Sequence, residues 1–123
     1  MVDHFCRINV HSELPFPEFV AFVARCAGGS ARRNAVASKM LDISVFENDD
    51  FDPAKSRTGV DRWLHFRYTL EVDQIAGILP RDYVAAVGAL LEALWSSCCE
   101  AVAACDFEDY LPRNVRRSKW VAA

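Results

Sequence analysis

The sequence predicts an α+β chain, and more narrowly a ferredoxin-like βαββαβ two-layer sandwich with an antiparallel sheet in the order 4-1-3-2. Three observations predict it. Several short segments alternate apolar and polar residues, the period of a half-buried strand. Two others repeat apolar side chains at three- and four-residue spacing, the period of an amphipathic helix. These segments follow one another as strand, helix, strand, strand, helix, strand, the split βαβ pattern. Elements with one apolar face each bury those faces by stacking in two layers.

Residues 4–12 make the first strand, with Cys6, Ile8 and Val10 on one side and Phe5, Arg7, Asn9 and His11 on the other. Leu14-Pro15-Phe16-Pro17-Glu18 opens a helix: proline is tolerated in a first turn, and Glu18 suits the positive end of the helix dipole. Phe16, Phe19, Val20, Val23 and Cys26 form its stripe, and Gly28-Gly29 stops it. Residues 30–35 are polar and basic and read as a loop. The second strand covers residues 36–47, and 48–59, rich in Asp, Pro, Ser and Gly, reads as a long hairpin loop. In the third strand, residues 60–72, Val60, Leu64, Phe66, Tyr68, Leu70 and Val72 share a face that only Arg62 interrupts. Leu79-Pro80-Arg81-Asp82 starts the second helix, whose stripe is Val84, Val87, Leu91, Leu94, Trp95 and Cys98. Gly88 on this helix costs about 1 kcal/mol against alanine, which points to close packing of a neighbour. Residues 101–107 are short and apolar and read as the fourth strand. The expected organisation is one domain over residues 1–111 and a basic tail over 112–123 carrying Arg113, Arg116, Arg117 and Lys119, with Trp120 as a docking candidate.

The 123 residues suffice for a core without disulfide or metal staples. At 52% hydrophobic and 25% charged, the composition is that of a globular domain. The formal charge of −3 disfavours nucleic acid as a partner. Residues 1–12 carry Asp3, His4, Arg7 and Asn9 where a secretory signal would need an apolar run. The longest apolar stretch, residues 84–95, contains Glu92 and is too short to span a bilayer, so no membrane partner is expected. The five cysteines (Cys6, Cys26, Cys98, Cys99 and Cys105) include no CxxC and fit zinc spacing poorly. They read as reduced, buried, small apolar side chains, and so as a sign of the cytoplasm.

Side by side at the centre of the predicted sheet, the first and third strands would expose Phe5, Arg7, Asn9, His11, Trp63, His65, Arg67 and Glu71 on a face free of helices. Such a face is either a solvated antiparallel surface or a binding surface, including one that joins two copies. RNA-recognition domains stack bases on strand aromatics, and Phe5 and Trp63 invite the comparison. The third strand lacks the K/R-G-F/Y-G/A-F-V-x-F/Y pattern, however, and the charge is negative. The run Glu47-Asn48-Asp49-Asp50-Phe51-Asp52 is the densest in charge. It fails the calcium-loop order, having neither the glycine nor the distal glutamate. It reads either as a solvated hairpin loop closed by Pro53 or as an acidic prong for a basic partner, with Phe51 as an apolar anchor. A second acidic group, Asp106, Glu108 and Asp109, follows the fourth strand. Neither a G-x-S-x-G elbow nor an H-E-x-x-H pair is present, and Gly28-Gly29 lacks the residues of a P-loop. An acid–base pair of His11 with Asp42 or Glu71 is the remaining catalytic option. The reading is not an enzyme: no catalytic residue, metal ligand or cofactor is assigned.

In general character the chain resembles the cytoplasmic immunity proteins of bacterial polymorphic toxin systems, including the contact-dependent growth inhibition type. The resemblance lies in a short acidic α+β chain, the strand from Leu41 running into the acidic loop to Asp52, the segment from Trp63 to Asp73, and the closing Ala103-Ala104-Cys105-Asp106-Phe107-Glu108-Asp109-Tyr110-Leu111-Pro112. It implies tight binding to one cognate toxin domain, often a basic nuclease, by covering its active site. The expected partner-binding residues are Glu47, Asp49, Asp50, Phe51 and Asp52 of the loop, and Trp63, His65 and Arg67 of the sheet face. The alternative is a small-ligand-binding or regulatory ferredoxin-like domain that forms a homodimer through its open sheet face.

Overall fold

The computed structural model describes residues 4–97 and 99–113. In β1 (Cys6–His11), Cys6, Ile8 and Val10 are buried on the helix side. Next comes α1 (Phe16–Ala27), which starts at Pro15 and buries Phe19, Val20, Val23 and Ala24. Gly28 ends it in the left-handed region at φ 67°, where glycine carries no Cβ penalty. Two short strands follow, β2 (Ser30–Arg32) and β3 (Ala35–Ala37), then β4 (Leu41–Glu47) and β5 (Tyr68–Gln74). The chain continues through α2 (Pro80–Ser96) into β6 (Glu100–Cys105). Two short 3-10 helices cover Arg62–His65 and Glu108–Tyr110.

The strands form one six-stranded sheet, in the order β2-β3-β4-β5-β1-β6, with every neighbouring pair antiparallel. This overturns the expected four-stranded ferredoxin-like sandwich, although the class remains α+β. Three local events account for the difference. Residues 30–35 are not a loop: Ser30–Arg32 pairs with Ala35–Ala37 through a two-residue turn, with Arg33 at φ 57°. Residues 36–47 are not one strand, because the Ser38 hydroxyl accepts the Leu41 N–H at 3.1 Å and the Ser38 N–H reaches the Leu41 carbonyl at 3.0 Å, turning β3 back on β4. The expected third strand begins at Tyr68, not at Val60.

The helices cover one face of the sheet. Between the layers the Tyr68 ring stacks on Phe19, centroids 4.0 Å apart, and its hydroxyl donates to the Leu14 carbonyl. Burial pushes the Tyr68 phenol above its usual pKa. The Tyr83 hydroxyl satisfies the Val72 carbonyl at 3.1 Å, and the Trp95 indole N–H satisfies the Ala101 carbonyl on β6 at 2.9 Å. Gly88 does admit a neighbour: a Cβ there would lie 3.0 Å from Cδ of Pro112. No helix among the described residues is long and apolar enough to cross a membrane. Cys98 and residues 114–123, and with them Arg116, Arg117, Lys119 and Trp120 of the expected basic tail, lie outside the described residues.

Candidate functional site

The opposite face of the sheet is not bare. Residues 48–66 leave β4, cross the outer face of the sheet to reach β1 and β6, and return to β5, burying a second, smaller group of side chains. Phe66, Val102, Asn9 and Ser56 are buried, yet none belongs to the helix-side core. The segment is tied down by polar contacts. The Asn48 side-chain amide donates to the carbonyls of Leu64 and Phe66, at 2.9 and 2.7 Å, and its oxygen accepts the Asp50 N–H at 3.0 Å. Asn9 donates to the Trp63 carbonyl at 3.1 Å and accepts from the Thr69 hydroxyl at 3.0 Å. Arg62 pairs with Glu100 on β6 and donates to the Ser56 carbonyl at 3.0 Å. Its guanidinium also lies 5.6 Å from the Phe66 ring centre.

Where this segment meets the sheet it leaves an open groove of about 510 Å³. Arg7, Asn9, Thr69, Glu71 and Ala104, projecting from β1, β5 and β6, make its floor. Phe46, Glu47, Asn48, Asp49 and Asp50 form one wall, and Trp63 and Leu64 the other. Glu47, Asp49, Asp50, Glu71 and Arg7 are the charged residues lining it, and Arg7 meets Glu71 at a loose 3.7 Å between part-exposed side chains. Phe46 and Leu64 stand 40% and 42% exposed beside these charges. The groove thus combines a polar floor, an acidic wall and apolar side chains open to solvent.

The expected site residues divide. Glu47, Asp49, Asp50 and Trp63 come together in the groove; the other four do not line it. Phe51 leans toward His11, ring centres 6.3 Å apart. The carboxylate of Asp52 is already occupied, accepting the N–H groups of Ala54 at 2.9 Å and Lys55 at 3.1 Å. Those bonds, that of Lys55 foremost, hold its pKa below the usual carboxylate range. His65 Nδ1 lies 3.0 Å from the Asp50 carbonyl, so the ring braces the loop. Arg67 lies 5.0 Å from the Tyr68 ring centre and 3.4 Å from the Ser12 carbonyl, at the end of the sheet. The expectation that Trp63, His65 and Arg67 project from a strand is corrected, because residues 62–65 are a 3-10 helix laid on the sheet and β5 begins only at Tyr68, after Arg67.

The catalytic pairing of His11 with Asp42 or Glu71 is also absent from the geometry. His11 sits opposite Glu100, its Nε2 lies 3.7 Å from Glu13, and its ring packs on Phe66 at 5.5 Å. Glu71 is opposite Arg7, and Asp42 opposite Asp73. No group of three His, Cys, Asp or Glu side chains placed to hold a metal occurs among the described residues. In the second acidic group, Glu108 accepts the Cys105 N–H at 3.2 Å at the sheet edge. Arg7, Asn9 and Glu71, expected on the outer sheet face, also line the groove, whereas Phe46, Asn48 and Leu64 complete the site but are missed by sequence reasoning. Arg62 was the available signal: a charge interrupting an otherwise apolar strand face marks a segment that is not a strand. Comparison with known protein families, characterised proteins and solved structures finds no match to this chain.

Proposed function

We propose that the chain is a binding protein that neutralises a partner protein by covering part of its surface, the leading case being a toxin domain with a basic active-site region, as in nucleases. The observation that carries this reading is the groove. It sets Glu47, Asp49 and Asp50 beside the exposed Phe46 and Leu64, on a wall that Asn48 ties to both limbs of the covering segment. Clustered carboxylates accelerate encounter with a basic surface and disfavour acidic competitors. Apolar side chains at the centre of a contact slow its dissociation. A wall already held in place loses little conformational freedom on binding. The site asks for a lysine- or arginine-bearing partner segment, with cationic heads on the acidic wall and aliphatic stems on Phe46, Trp63 and Leu64. The alternative, a homodimer across an open sheet face, has less support, because residues 48–66 occupy part of that face.

Co-expression with the product of the neighbouring upstream gene, scored by growth rescue and co-purification, tests the assignment. With the partner in hand, the double variant Asp49→Lys, Asp50→Lys is expected to lower the association rate about tenfold or more at low salt, with the difference shrinking as salt rises. An unchanged association rate would place the contact elsewhere on the molecule. Failure of both rescue and co-purification would remove the toxin reading.

A further inference from the structure

Cys6 and Cys105 face one another where β1 pairs with β6, in direct register. Opposed residues on adjacent antiparallel strands have Cα atoms about 4.5–5.5 Å apart, inside the range of about 4.4–6.8 Å that a disulfide spans. The two thiols are free and belong to residues directly opposed in the ladder. Cys6 is fully buried, whereas Cys105, on the edge strand, is half-buried and reachable from solvent. This juxtaposition supplies an attacking thiol and a resolving thiol already aligned by the sheet.

We propose that Cys6 and Cys105 form a redox-active pair that a low-molecular-weight disulfide such as oxidised glutathione converts into an intramolecular disulfide joining β1 to β6. In the first step Cys105 loses its proton and its thiolate attacks one sulfur of oxidised glutathione. The glutathione S–S bond breaks, one glutathione thiolate leaves and takes up the proton, and a mixed disulfide remains on Cys105. Cys6 then attacks the Cys105 sulfur, expelling the second glutathione as a thiolate that takes up the Cys6 proton. Two protein thiols are oxidised, and one glutathione disulfide is reduced to two glutathione thiols. The next pair along the same ladder, Arg7 and Ala104, belongs to the groove floor, so the bond would clamp β6 to β1 one residue from that groove. Burial pushes both thiols upward, and the carboxylates of Glu108 and Asp106 add to the rise at Cys105. Exchange is therefore slow at neutral pH and quickens as pH rises and more Cys105 thiolate forms.

The experiment is exposure of the full chain to oxidised glutathione at about pH 8.5, quenching by alkylation, intact mass and peptide mapping. The expected result is a fall from five alkylatable thiols to three, with a Cys6–Cys105 cross-linked peptide. Closing a loop of about 100 residues should also raise Tm by on the order of 10 °C, reversibly on reduction. Cys6→Ser should retain one glutathione on Cys105, and Cys105→Ser should leave Cys6 unmodified. Five thiols still alkylatable, or a cross-link joining any other pair, would overturn the proposal. The wild-type peptide map decides alone if either variant fails to fold.

Discussion

Asn48 shows how much a polar residue in a loop can do. Its amide donates to two carbonyls of the returning limb while its oxygen turns the outgoing one. Asn48→Ala removes all three bonds, and at about 1 kcal/mol for each the expected destabilisation is about 3 kcal/mol, read as a lower urea midpoint. Asn48→Asp sets a carboxylate against the same carbonyls and should cost at least as much. Asp52 gives a different signature. Its folded-state pKa lies below the unfolded value because Lys55 and Ala54 N–H groups bond the ionised form. Its contribution to stability is therefore present above about pH 4, the ordinary aspartate value, and lost as pH falls through the lower folded value. Asp52→Ala should remove that acid-limb component, so that wild type and variant converge as pH drops toward 2 in urea titrations. Charge density marked Asp52 as a partner-binding residue. Charge alone does not distinguish a carboxylate facing solvent from one that closes a turn, and here the backbone geometry decides.

Among the elements, the β2–β3 hairpin depends on a close approach at Gly29, where a Cβ would stand 2.2 Å from the Ala37 carbonyl oxygen and 2.8 Å from its carbon. Both obstacles are backbone, so the strands must separate to admit it. Gly29→Ala is expected to destabilise by about 1–3 kcal/mol, seen as a lower urea midpoint. Composition explains why this hairpin escapes sequence reading: β2 is exposed throughout, β3 buries Val36 alone, and neither is long enough to establish a period. The helices, by contrast, were legible, because Phe19, Val20 and Val23 in α1 and Val87, Leu91 and Leu94 in α2 repeat at helical spacing and all are buried. The 48–66 segment rests on a small buried group and many polar ties, so it should open before the sheet does. Hydrogen exchange at the amides of Asp52, Ser56 and Phe66, which bond within the segment, is expected to outpace that at Leu70 and Val72 of β5. Equal protection in both sets would show that segment and sheet unfold as one unit.

Across the whole molecule, the sheet separates two kinds of interior. On the helix side, apolar side chains from β1, β4, β5 and β6 meet two amphipathic helices. On the other side, buried Asn9, Ser56, Phe66 and Val102 lie under a cover held by side-chain-to-backbone bonds. Between cover and sheet runs the groove that joins Trp63 to the acidic wall. Half of the expected partner-binding residues, Glu47, Asp49, Asp50 and Trp63, do line the groove, but their convergence was not legible in the sequence. Residues 49 and 63 are distant in sequence, and they meet because Asn9 and Asn48 fold the chain back between them.

Local chemistry by itself determined the α+β class, both helices with their starts and the end of the first, and the apolar faces of β1, β4 and β5, since periodic burial is written into consecutive residues. Tertiary structure alone decided the sheet's extra hairpin, the path of residues 48–66 and the composition of the groove. These rest on bonds such as Arg62 to Glu100 and Asn9 to the Trp63 carbonyl, between positions whose spacing leaves no periodic trace. A polar side chain reads the same in sequence whether water or a distant carbonyl satisfies it, and only the folded backbone selects between the two.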